Sequence, residues 1–234
     1  MPVADASFTW QEATAAFAII AVVAFVLSWV LTDLFGVARA VYVAALAATV
    51  LTLGAGYVAW SGTSVDDLTS ARLGWGIAAG LVAAAITVPM VRRLPHASAP
   101  AGLRGAELFV WEDLVYGTAE ALLLASLPVL ALWQAAEAAG WTGSDRGKVG
   151  SGALAIAGAL LVILVHHLGY AEFRAPAARP KLLGALVTVG VQAVAFLLTG
   201  SILAPIVAHV VLHAQMTFQG VELPPAGSRA LPQD

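Results

Sequence analysis

The chain contains no cysteine and little charge of either sign: 11 Lys and Arg and 14 Asp and Glu, together 11% of its 234 residues. Without cysteine there are no disulfides, no thiolate metal ligands and no cysteine nucleophile. A net charge of −3 with so few basic residues leaves no electrostatic footprint for nucleic acid. There is no HExxH metalloprotease motif and no internal repeat. The amino terminus lacks the basic flank and small-residue cleavage site of a signal peptide, so the first apolar segment reads as retained.

What remains is apolar. Hydrophobic residues make up 60% of the chain and its mean hydropathy is +0.88, well outside the globular range. The expected fold is an all-α, polytopic transmembrane helix bundle forming a single integral membrane domain over 1–234. Seven apolar runs, at 14–32, 38–60, 73–91, 111–133, 150–169, 182–198 and 200–217, lie near the roughly 20 residues that cross a bilayer core. The last two nearly touch, with Thr199-Gly200-Ser201 as the break between them. Six of the seven tryptophans (Trp10, Trp60, Trp75, Trp111, Trp133 and Trp141) fall near span ends, where the indole sits in the interface. The Pro-, Ala- and Gly-rich stretch 92–107 reads as a loop, and 220–234 as a disordered tail.

Seven spans divide the 11 basic residues unevenly. Arg39, Arg92, Arg93, Arg104, Arg174, Arg179, Lys181 and Arg229 share one side, against Arg72, Arg146 and Lys148 on the other. The positive-inside rule then puts the amino terminus outside and the carboxyl terminus in the cytoplasm, with a bacterial cytoplasmic membrane as the expected location.

Four of the five histidines, His166, His167, His209 and His213, sit in or at the ends of apolar runs, where an ionisable group is expensive. His209 and His213 are four apart and share a helix face. The predicted topology brings them to the same half of the membrane as Glu120, with Glu112 and Asp113 about two turns nearer the cytoplasmic end. Glu120, that far from water, needs a partner, and a membrane histidine is the natural one. Glu112 and Asp113 suit a helix amino terminus, where the macrodipole favours acids.

The run Thr199-Gly-Ser-Ile-Leu-Ala-Pro-Ile-Val-Ala-His209 resembles the last motif of the CPBP intramembrane proteases, also called the Abi or type 2 CAAX prenyl-protease family. His213 stands where that family usually has Asn. The family's FxxxH motif is matched by Ile163 to His167, with His167 in the histidine position and His166 as the second choice. Its EExxxR motif is matched in part by Glu112-Asp113-Leu-Val-Tyr116-Gly117, or by Glu120 alone, which the spacing favours; neither supplies the arginine. The CPBP-like core spans 112–216.

The resemblance implies hydrolysis of a peptide bond in a membrane-embedded or lipidated substrate. Glu120 and His167 would activate water, while His209 and His213 would complete a metal shell or hold the oxyanion. One Glu with three His is a plausible donor set for a divalent metal such as zinc. Two other readings stand beside it: an inactive CPBP-like scaffold that binds membrane partners without cutting them, and a b-type haem electron carrier with paired histidine ligands.

Overall fold

A computed structural model describes residues 8–93 and 109–219. The described residues are helical and form no strand. Six helices are long and apolar enough to cross a membrane: α1 (Trp10–Leu34), α2 (Arg39–Ser61), α3 (Val65–Val91), α4 (Phe109–Ala138), α5 (Asp145–Leu168) and α6 (Pro176–Thr199). The seventh apolar run is a shorter helix, α7 (Leu203–Phe218), of 16 residues. The stretches read as loop and tail lie largely or wholly outside the described residues.

The breaks follow local chemistry. A capping box starts α1: the Glu12 backbone N–H donates to Thr9 Oγ1, and the Thr9 backbone N–H donates to Glu12 Oε2. Gly62 and Gly200 end α2 and α6 with φ of 65° and 66°, the left-handed conformation that glycine adopts at no steric cost. Pro128 lacks the N–H that would bond back to Leu124, and the preceding Ala121–Ser126 turn widens into a π-helix that accommodates the ring.

Successive helices run antiparallel, and polar contacts pin both ends of the bundle. At one end Trp60 Nε1 donates to Glu12 Oε1 (3.3 Å), Gln134 Nε2 to Thr63 Oγ1 (2.9 Å) and Arg72 Nη1 to the Thr199 carbonyl (2.8 Å). At the other, Arg39 pairs with Glu112 (3.0 Å), Thr217 donates to Asp113 (2.7 Å), and Arg174 pairs with Asp33. This second end gathers Arg39, Arg92, Arg93, Arg174, Arg179 and Lys181, and the first holds Arg72, Arg146 and Lys148.

Helix α4 is the centre. Its most apolar window is 78% buried, against 22–39% for the other five long helices, so the rest form a ring around it. Helices α3 and α7 pack through small residues. A Cβ on Gly80 would lie 2.7 Å from the Ala204 carbonyl and from Val207 Cβ, a contact that only glycine permits without displacing α7.

Candidate metal and catalytic site

Three segments each contribute two polar side chains at i, i+4 spacing: Tyr116 and Glu120 from α4, His166 at the end of α5 with Tyr170 just beyond it, and His209 and His213 from α7. One helical turn stacks the members of each pair, and the crossing of α4, α5 and α7 turns all three pairs toward each other. All six side chains are buried or nearly so.

The Glu120 carboxylate is the hub. Its Oε2 lies 3.1 Å from His209 Nε2 and 3.1 Å from His213 Nε2. Its Oε1 accepts from the Tyr116 hydroxyl at 2.5 Å and lies 3.5 Å from His166 Nε2. Gln192 on α6 orients His209, its Oε1 lying 3.0 Å from Nδ1; with the ring neutral and its proton on Nδ1, the Nε2 lone pair points at Glu120. Two acceptors 3.1 Å apart repel unless a proton or a metal cation lies between them. One oxygen of Glu120 and one nitrogen from each of His209 and His213 lie within 4.8 Å of one another, a grouping that can hold a metal ion. His213 Nδ1, buried without a partner, leaves that ring free to adopt either tautomer.

The sequence-predicted residues divide into those that meet and those that do not. Glu120, His209 and His213 converge. His167 does not join them: its Nδ1–H is spent on the Ile163 carbonyl (3.0 Å) and its ring packs edge-on against Phe173, at the cavity wall. His166 approaches Glu120 in its place. The buried face of α5 runs through Ala155, Ala159, Val162, Ile163 and His166, and this stripe, read at helical period, puts His166 inward. Glu112 is taken up by Arg39, and Asp113 by Thr217.

Sequence reasoning missed Tyr42, Tyr170, Arg39 and Gln192. The tyrosines carried a signal, since Tyr116 and Tyr170 each stand four residues from a site group; Gln192 was a lone amide in an apolar run. Arg39 belongs to a helix distant in sequence. Its guanidinium lies 4.0 Å from the Tyr116 ring centroid, stacking on the tyrosine that holds Glu120.

A cavity of about 250 Å³ connects this cluster with the basic-rich end of the bundle. Tyr116, Glu120, His209 and His213 line its depth, and Glu172, Phe173 and Lys181 its mouth. Partial burial pushes the Glu172 carboxyl up from its ordinary range, and Lys181 pulls it back. Compared with family models, with curated proteins and with solved structures, the chain matches none of them.

Proposed function

We propose that this chain is an intramembrane hydrolase of the CPBP type, cleaving a peptide bond in a membrane-embedded or lipidated substrate. The observation that carries the reading is the convergence of Glu120 Oε2, His209 Nε2 and His213 Nε2 at the base of a cavity inside a helical membrane bundle. Glu120, His209 and His213 would hold a divalent metal, zinc being the best match to one carboxylate and two imidazoles with an open position. Such an ion lowers the pKa of water toward neutrality and polarises a carbonyl.

The protein's own groups do the rest. Glu120, through Oε1, the oxygen not used to hold the ion, takes a proton from the attacking water as the water oxygen bonds to the carbonyl carbon, and returns that proton to the amine nitrogen as the C–N bond breaks, so the reaction balances with one water consumed. Tyr116 holds the carboxylate through Oε1, and Gln192 fixes the tautomer of His209. The wall around them, with Leu124, Ile163 and Leu212, keeps bulk water out. The excess of arginine and lysine at the cavity end supports a mouth on the cytoplasmic side.

The test is metal analysis of purified protein together with cleavage of a membrane peptide. Wild type should carry about one divalent ion and cut; Glu120→Gln and His209→Ala should lose cleavage while remaining folded. Folded wild-type protein that neither binds metal nor cuts would leave the scaffold reading, which the missing arginine of the first motif favours.

A further inference from the structure

We propose that the Tyr170 hydroxyl is the donor that stabilises the oxyanion in this reaction, with His166 and Tyr42 as positioning residues; this rests on the hydrolase reading above. The hydrogen bonds around His166 run in one direction. His166 Nδ1 lies 3.0 Å from the Ala24 carbonyl, which can only accept, so Nδ1 carries the ring proton. Ser28 Oγ, 3.3 Å from the same nitrogen, has its hydrogen directed at the carbonyls of Ala24 (2.7 Å) and His166 (2.8 Å). With this ring neutral, Nε2 is an acceptor. It receives the Tyr170 hydroxyl at 3.2 Å, and the Tyr170 oxygen in turn accepts from the Tyr42 hydroxyl at 2.6 Å.

Tyr42 donates to Tyr170, and Tyr170 to His166. Of these three side chains only Tyr170 lines the cavity. Tyr170 Oη and Glu120 Oε1 lie 3.2 and 3.5 Å from the same nitrogen, His166 Nε2, so the two oxygens are less than about 7 Å apart. A separation toward that limit would admit a carbonyl group, with its attacking water on the Glu120 side and its oxygen toward Tyr170.

As the carbonyl oxygen gains charge it becomes a stronger acceptor than a neutral imidazole, and the Tyr170 O–H turns from His166 Nε2 to meet it. The proton stays on Tyr170, no bond to it breaks, and the hydroxyl returns to His166 when product leaves. The Tyr42 hydroxyl bonded behind it makes Tyr170 a better donor throughout. His166, on this account, is a rest position for the donor rather than a metal ligand.

The experiment is steady-state cleavage of a membrane peptide by Tyr170→Phe, Tyr42→Phe and Glu120→Gln, with metal content and melting temperature measured on each. Removing one oxyanion donor costs on the order of 10²-fold in kcat. Tyr170→Phe should show that loss with KM within about twofold and metal content unchanged, and Tyr42→Phe a loss of roughly 3- to 10-fold, as expected for removing only the polarising neighbour. Genetically encoded fluorotyrosines at 170, which keep the shape and alter donor strength, should change kcat with each added fluorine and leave KM alone. Unaltered kcat in both Tyr170→Phe and the fluorotyrosine series, with Glu120→Gln inactive, overturns the Tyr170 role and leaves the hydrolase reading intact. A kcat loss in Tyr170→Phe matched by loss of metal or of melting temperature, with fluorotyrosines inert, assigns Tyr170 to structure. Equal inactivity of wild type and Glu120→Gln removes the hydrolase reading, and this role with it.

Discussion

His213 is the residue at which the site departs from the motif it resembles, and its surroundings say what the change does. Its Nε2 meets Glu120 while its Nδ1 is buried with no partner, so one ring nitrogen is in use and the other costs desolvation. An asparagine offers one polar contact of comparable reach. His213→Asn should therefore keep more cleavage than His213→Ala, measured as kcat/KM on one substrate; equal loss in the two would mean that an imidazole ligand is required. Gln192 gives a second prediction. Among the described residues its side chain hydrogen-bonds only His209, so Gln192→Leu should leave the fold in place and weaken metal affinity by about 10- to 100-fold in a competition titration, the usual cost of losing a ligand's orienting partner. Arg39 and Glu112 form a largely buried pair, with side chains 20% and 13% exposed. Removing one partner strands a charge, so Arg39→Met should cost about 3 kcal/mol in unfolding, and Arg39→Met with Glu112→Leu should recover most of it.

The elements that place these residues were legible to different degrees. Apolar run length located all seven helices, and Thr199-Gly200-Ser201 marked the break between α6 and α7, because a bilayer demands length and a helix end rewards glycine. Rotation about the helix axis was harder to read. His166 and His167 differ by about 100° of phase on α5, and motif spacing selected the residue that the buried alanine stripe turns toward the cavity wall. The central position of α4 was not legible either, since a helix apolar on every side reads the same whether lipid or protein surrounds it. The contact between α3 and α7 allows a test at this scale. Gly80 sits against the Ala204 backbone, five residues before His209, so Gly80→Val must push the two helices apart. The expected result is about 1–3 kcal/mol of destabilisation and loss of metal binding, without any change to a ligand. A variant as stable and as metal-competent as wild type would show that α7 is not set by this contact.

For the whole molecule, the antiparallel order of helices and the pairs at each end divide the described charges into a basic-rich end and a basic-poor one, as the sequence predicted. The proposed orientation, with the basic-rich end in the cytoplasm, has a direct measurement: a reporter fused after Asp234 should read as cytoplasmic, and an exported signal would turn the cavity mouth to the other side. Helix α7 sets a further property of the whole. At about 1.5 Å per residue its 16 residues extend only about 24 Å, short of a hydrocarbon core of about 30 Å. The turn before it is tied down by Arg72 and by the Ile202 N–H on the Leu68 carbonyl (3.0 Å), so α7 cannot slide to make up the difference. Where the partly exposed residues of α7 meet lipid, the bilayer would have to thin, at a cost that grows with acyl-chain length. Membrane thickness thereby becomes a thermodynamic variable of the protein: reconstituted into lipids of increasing chain length, it should lose thermal stability steadily, and it should partition toward thinner bilayers when offered both.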